Sequence, residues 1–332
     1  MKIALCTDAW HPQINGVVTT LSQTMAQLTS LGHEVRAFSP QDGFRTMPLP
    51  AYPEIRLALL PGRRLTGLLD AYAPDCLHIA TEGPIGMAAR RWCLRHDMPF
   101  TTSYHTRFPE YLRARLPVPL SWTFAWLRRF HAAAARTLVA TPHMQQALAR
   151  QGFQRLVLWS RGVDTELFRP ERRRDSGLPG PVWVYAGRVA VEKNLPAFLA
   201  LDLPGSKLVI GDGPDRERLQ RRYPEAVFVG FRQGEDLAAH LASGDVFVFP
   251  SRTDTFGLVM LEAVASGLPV AAFPVTGPVD VVIDGVTGVL DEDLGRACRA
   301  ALGLERNVIR REALRHGWDI AAQQFLDHLK PV

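Results

Sequence analysis

A chain of 332 residues, 47% hydrophobic and 21% charged, can build two domains with separate cores, and it carries no low-complexity tract. Its four cysteines (Cys6, Cys76, Cys93, Cys298) are widely spaced with no CxxC pair, which argues against a metal-ligand set or a disulfide framework and suits a cytosolic protein. Net charge is +5 but uneven: residues 90–155 hold eleven arginines against two acids, Asp97 and Glu110, so an anionic partner or a solvated arginine-rich surface is expected there.

Met1 to Asp8 reads as a first strand rather than a signal peptide, because its apolar run is short and ends on an acid. Further strands are expected at 35–39, 76–80, 100–104, 137–140 and 156–159. Val18, Leu21, Met25 and Leu28 share one face of a helix over 17–31 that Gly32 closes. Between 107 and 138, Arg113, Arg115, Arg128, Arg129 and Arg136 alternate with Tyr111, Trp122, Phe124, Trp126 and Phe130. That mixture suits the interface of an anionic bilayer, or equally a core helix with arginines on its wet face. No nucleic-acid module accompanies it, so nucleic acid is not an expected partner.

Residues 169–181 are charged and rich in Pro and Gly, the composition of a linker. A second alternation follows, with strands at 182–186, 207–210, 227–230, 246–250 and 270–273. The most apolar stretch, 258–275, contains Glu262, Ser266, Gly267 and two prolines, which argues against a membrane span. A last helix over 319–329 puts Ile320, Phe325 and Leu326 on its apolar face. The expected division is an N-terminal domain over 1–168, a linker over 169–181, a second domain over 182–316, and a C-terminal helix over 317–332 that crosses back to the first. Both domains are α/β with doubly wound parallel sheets, which bind ligands beyond the carboxyl ends of their strands.

Two segments concentrate the chemistry. In the first, the strand ending at Ala186 is followed by Gly187, Arg188 and, at the next helix start, Lys193. Glycine admits close backbone approach, arginine grips phosphate oxygens through paired hydrogen bonds, and lysine adds a point charge. Cations are disfavoured at a helix N-terminus, so two of them there call for an anion. In the second, Asp254 and Glu262 flank Phe256-Gly257-Leu258, where a helix begins and its free amides can face that anion. Glu262 lies in an otherwise apolar helix and needs a hydroxyl or cation partner. Two cations, helix amides and two carboxylates are what a nucleotide-sugar requires.

These segments resemble the retaining glycosyltransferases of the GT-B fold, two facing Rossmann-like domains with a cleft between them, and specifically glycosyltransferase family 4. The resemblance rests on Gly187-Arg188-x4-Lys193, on Asp254-x7-Glu262, and on Ala263-x-Ala265-Ser-Gly267-x-Pro269 beyond it. It extends to Asp8-Ala-Trp-His-Pro12-Gln-Ile-Asn15-Gly16 and to Arg161-Gly-Val-Asp164-Thr-Glu-Leu-Phe168. It implies that Arg188 and Lys193 bind the donor diphosphate, that Glu262 holds the ribose hydroxyls, and that Asp254, in place of the commoner glutamate, touches the transferred sugar. Gly16, Gly211, Phe231 and the backbone at Phe256, Gly257 and Leu258 would complete the donor site. His105 would stand near the transferred sugar and the acceptor. Asn15, Glu82 and Arg107 are candidates for acceptor contacts.

The expected function is therefore metal-independent transfer of a hexosyl unit, with retention, from GDP-mannose or a UDP-hexose. The acceptor is a hydroxyl of a membrane lipid, or else of a soluble or lipid-linked saccharide. No cofactor is implied, since the donor is a co-substrate and Asp291-Glu-Asp293 falls outside the matched site. The implied location is cytoplasmic, with peripheral attachment to the inner membrane face as a further option. A nucleotide-sugar epimerase or hydrolase, and a non-catalytic nucleotide-sugar-binding protein, remain alternatives.

Overall fold

Short buried strands alternating with helices fold into two α/β units in a computed structural model that describes residues 1–13, 15–49, 52–105, 119–254 and 256–329. The first unit comprises 1–161 together with 318–332, and the second 162–317.

The first unit contains β1 (Lys2–Cys6), β2 (Glu34–Phe38), β3 (Thr46–Leu49), β4 (Tyr52–Ala58), β5 (Cys76–Ile79), β6 (Phe100–Tyr104), β7 (Arg136–Val139) and β8 (Leu156–Leu158). Six of these form a parallel sheet in the order β2-β1-β5-β6-β7-β8, while β3 and β4 pair with each other as an antiparallel hairpin. Helix Gly16–Ser30 starts at Asn15, whose Oδ1 accepts from the amides of Val17 and Val18, and buries Val18, Leu21 and Leu28. Helix Trp318–His328 completes this core. Phe325 is fully buried beside Trp159, and the Trp159 indole N–H donates to Ala321 O at 3.0 Å. Its buried face is Trp318, Ala321, Ala322 and Phe325, whereas Ile320, expected inside, is 44% exposed.

The second unit contains β9 (Val182–Ala186), β10 (Ser206–Ile210), β11 (Val227–Gly230), β12 (Val246–Phe249), β13 (Val270–Ala272) and β14 (Gly288–Leu290), all parallel, in the order β11-β10-β9-β12-β13-β14. The order reverses between β9 and β12, so ligands are expected beyond the carboxyl ends of these two strands. In the first sheet the equivalent point lies between β1 and β5.

The boundary between the units differs from the expected one. Val163 and Phe168 are buried in the second core, and Val163 N–H donates to His316 O at 2.8 Å. Segment 169–181 is not a spanning linker. Arg172 pairs with Glu235, Arg173 with Asp245, and the Arg174 amide donates to Ser243 Oγ, which fastens the segment to the second unit. The crossing is at 161/162, and the Pro/Gly-rich composition serves a surface wrap.

Candidate functional site

At the end of β9 the backbone enters a conformation reserved for glycine: Gly187 has φ +148°. The Tyr185 hydroxyl donates to Arg188 O at 2.8 Å and fixes the turn that presents the exposed Arg188. Gly211, at the end of β10, approaches so closely that a Cβ there would lie 1.9 Å from Gly187 O. The loops after β9 and β10 can therefore approach this closely only because Gly211 lacks a side chain. Asn194 follows Lys193 at φ +54° and donates from its side chain to Pro250 O at 3.1 Å, tying the loop after β9 to the loop after β12.

That tie brings the two expected segments together. Lys193 Nζ donates to Asp254 Oδ1 at 2.5 Å, with the side chains 23% and 16% exposed. Asp254 Oδ2 is buried without a partner among the described residues. A carboxylate with one oxygen paired and the other buried and unsatisfied is prepared to accept a further hydrogen bond.

Helix Leu258–Ala265 begins directly after Gly257, which sits at φ +84°, and no side chain caps its start. The expected start was Phe256 or Gly257; the left-handed glycine delays it to Leu258. First-turn amides of such a helix have no intrahelical acceptor and favour an anion. Glu262 lies within this helix, between buried Leu261 and Ala263. Burial raises its pKa to about 7, and no cation or hydrogen-bond donor among the described residues offsets that effect. Phe231, just past β11, is 44% exposed, as an apolar platform at the sheet edge must be.

The corresponding point of the first unit is already filled. Asp8 follows β1, and its carboxylate accepts from the amides of Ile85 (2.9 Å) and Gly86 (3.3 Å) and from the Thr81 hydroxyl (2.9 Å). It thereby occupies the N-terminus of helix Pro84–Arg95. Burial still raises its pKa to about 6 despite those donors. A protein carboxylate holds the anion position in the first unit, whereas the second leaves its own helix start uncapped. This asymmetry favours the second unit for a phosphate ligand.

Around that filled point, β6 spaces two histidine networks. His78, fully buried, contacts Thr101 Oγ1 through Nδ1 and Ser103 Oγ through Nε2, both at 2.8 Å, and burial followed by Arg161 lowers it to about 3. His131 contacts Thr102 Oγ1 (2.8 Å) and Glu82 Oε1 (3.2 Å). Glu82 therefore stands braced at the strand ends. His105, just past β6, receives a hydrogen bond at Nδ1 from Arg161 at 3.2 Å, and burial, Arg161 and His78 lower it well below the ordinary histidine range. Burial also lowers Arg161, to about 9. Sequence reasoning assigned no role to Asp8, His78, His131 or Arg161. A polar residue at every position of Thr101-Thr-Ser103 was the available signal for His78 and His131.

Asn15 and Gly16 open the first helix. The Asn15 carboxamide oxygen is committed to capping, a role the sequence reading had not given it. Arg107 lies outside the described residues, as does the 107–118 part of the basic aromatic segment. Elsewhere in residues 90–155, arginines serve helix C-termini: Arg155 donates to Ala132 O, Arg90 to Phe130 O, Arg128 to Gln151 O, and Arg136 to Asp327 O. Four of the eleven arginines are thus engaged with carbonyls at helix ends. Trp122 (72% exposed) and Trp126 (42%) instead present an aromatic face on helix Leu120–His131. Asp291 pairs with Arg296 and Asp293 caps helix Leu294–Ala301, so this acidic pair is structurally engaged. No cluster of metal-ligating side chains occurs among the described residues.

A family model described as "Glycosyltransferase Family 4" matches residues 14–167, and one described as "Glycosyl transferases group 1" matches residues 180–304. The chain is 32% identical to a "GDP-mannose-dependent alpha-mannosyltransferase" of Mycobacterium tuberculosis, over 100% of this chain and 97% of that protein. It is 24% identical to an "Alpha-monoglucosyldiacylglycerol synthase" of Streptococcus pneumoniae, over 98% of this chain and 83% of that protein. Among solved structures, sucrose-phosphate synthase from Thermosynechococcus elongatus superposes with a TM-score of 0.75 at 21% identity, covering 98% of this chain and 97% of that one. Anabaena HepE in complex with UDP-glucose superposes with a TM-score of 0.73 at 15% identity, covering 98% of both chains. The fold is that of the GT-B enzymes, two Rossmann-like units in one chain.

Proposed function

Since the chain belongs to glycosyltransferase family 4, we propose that its second unit binds a nucleoside diphosphate hexose and that the sugar passes to a lipid hydroxyl with the α configuration retained. The observation carrying this reading is the Lys193–Asp254 pair at the switch point, with one Asp254 oxygen buried and unsatisfied. Arg188, Lys193 and the amides at Leu258 and Val259 stabilise the charge that grows on the departing β-phosphate. Asp254 accepts from a hydroxyl of the transferred sugar, and Glu262 from the ribose diol. With no carboxylate assigned as nucleophile, the leaving phosphate takes the proton of the incoming hydroxyl on the same face. Neutralisation comes from these fixed cations, so no metal is required.

GDP-mannose is the first donor to test, after the name of the mannosyltransferase relative, with UDP-glucose, UDP-galactose and UDP-glucuronate beside it. A true donor at 100 times its Kd stabilises the native protein by about 2.7 kcal/mol, read as a raised Tm. Turnover with that donor and a diacylglycerol-containing vesicle should yield an α-glycoside and survive EDTA. Equal donor consumption without acceptor would instead indicate a hydrolase or epimerase. Binding without any turnover would indicate a binding protein.

Donor binding should depend on pH through Glu262. Its folded pKa lies above the ordinary value, so the ligand-free fold retains a proton there up to about pH 7. Diol hydroxyls donate to the ionised form, so binding expels that proton and tightens as pH rises from 5.5 to 7.5, by roughly tenfold for one coupled proton. Glu262→Gln should weaken binding and flatten its pH dependence. Calorimetry with GDP checks this, and an unchanged slope in the variant removes the diol assignment.

The lipid acceptor is supported by the name of the diacylglycerol-glucosylating relative and by the exposed pair Trp122 and Trp126, four residues apart on one helix. Tryptophan favours the membrane–water interface. Flotation with anionic vesicles at low salt should carry the protein upward, and Trp122→Ala with Trp126→Ala should abolish this. A protein that stays at the bottom in its native form favours a saccharide acceptor.

A further inference from the structure

The geometry points to Arg161 as a positioning residue that holds His105 as a neutral imidazole with its single proton on Nε2. A guanidinium has five N–H donors and no acceptor. Arg161 Nη2 lies 3.2 Å from His105 Nδ1, so that nitrogen must offer its lone pair. The proton of the neutral ring is then on Nε2, and any oxygen that meets Nε2 receives a hydrogen bond. A second proton on the ring would set N–H against N–H and cation against cation.

The guanidinium is not free to turn away. Its Nη1 donates to Trp159 O at 2.7 Å and Ser160 O at 3.2 Å, and its Cζ lies 4.4 Å from the Trp159 ring centroid. Trp159 is itself anchored to Ala321 O and packs on Phe325. Arg161 is 4% exposed and makes no ion pair with a carboxylate among the described residues. Among the described residues Arg161 and His78 act on His105, and His78 has both ring nitrogens engaged by hydroxyls. Each opposes protonation of His105.

The chemical consequence deepens the proposed function and rests on it. His105 donates to an oxygen of the substrate, such as a sugar hydroxyl or a phosphate, and does not serve as the base that deprotonates the acceptor. That role passes to the leaving phosphate.

The decisive measurement is the two-bond ¹⁵N–¹H spectrum of the ligand-free protein with labelled histidine, His105 being assigned by its loss in His105→Gln. The expected pattern is an unprotonated Nδ1 and a protonated Nε2 that persist from pH 8 to pH 5. Arg161→Met should let His105 titrate within that range and leave Nδ1 free to carry the proton of the neutral ring, so that kcat falls above the new pKa, where Nε2 can lose its proton, while KM for the nucleotide sugar changes little. Arg161→Lys, which keeps a donor-only cation, should restore the wild-type pH profile at least in part. A proton on Nδ1, or an Arg161→Met protein with unchanged tautomer and pH profile, overturns the proposal. Should Arg161→Met fail to fold, the wild-type spectrum alone decides. That spectrum needs no substrate, so its failure leaves the transferase reading standing, and a lack of turnover with every donor leaves the spectrum untouched.

Discussion

Replacing Arg188 by alanine is expected to slow hexosyl transfer by on the order of 10²–10³-fold, the usual cost of deleting one preorganised donor at a developing anion. The side chain is exposed on a turn whose backbone is held from below by the Tyr185 hydroxyl, so its removal should leave the turn in place. Stability should change by less than about 1 kcal/mol. The loss should appear in kcat as well as kcat/KM, because charge on the β-phosphate peaks in the transition state rather than in the bound donor. Arg188→Lys should recover part of the rate, since it restores the charge but not the two parallel hydrogen bonds. Steady-state kinetics with the identified donor, together with a thermal melt, test this. Near-normal kcat in Arg188→Ala would place the diphosphate elsewhere.

Lys193→Ala should give a loss of similar size in turnover, but with a fall in stability that Arg188→Ala lacks. Lys193 is the only hydrogen-bond partner of the Asp254 carboxylate among the described residues, and the second oxygen is already unsatisfied. Deleting the ammonium leaves a largely buried carboxylate with neither oxygen paired, at a cost of about 1–3 kcal/mol. Removing Asp254 as well should return most of that stability, because no orphaned charge remains. Turnover should stay low in the double variant, because the phosphate still lacks its cation. Denaturant melts of the two single variants and the double variant provide the cycle. Recovery of activity along with stability would mean that Lys193 acts only as a structural partner of Asp254.

Much of the fold was legible because its strands are short apolar runs flanked by glycine and acids, as at Val182–Ala186 before Gly187 or Ile3–Cys6 before Asp8. The hairpin Thr46–Leu49 with Tyr52–Ala58 was missed because Pro48 and Pro53 read as strand breakers, although proline is tolerated where a strand pairs on one side only. The last strand, Gly288–Leu290, is three residues long and has no period to detect. The boundary was misplaced because composition marks a loop without saying which core the loop packs on.

Site residues were legible where chemistry clusters along the chain and illegible where it depends on folding. Gly187, Arg188 and Lys193 announce an anion site within seven positions. The pairing of Lys193 with Asp254 spans 61 positions, that of Arg161 with His105 spans 56, and the closure of the Pro84 helix by Asp8 spans 77. The arginines between 90 and 155 gave the clearest difference. Their number was visible, but the targets of four of them, carbonyls at the ends of neighbouring helices, appear only once those helices are placed.

The return of the C-terminal helix to the first unit has a consequence for biosynthesis. A ribosome delivers β1 to β8 before the second unit, yet the Phe325 side chain that closes their core against Trp159 emerges only after all of that unit. Domains usually fold in the order in which they are made. Here the first unit is finished only after the second has been made, and until Phe325 emerges Trp159, Leu21 and Leu28 lack that cover, a natural client surface for chaperones.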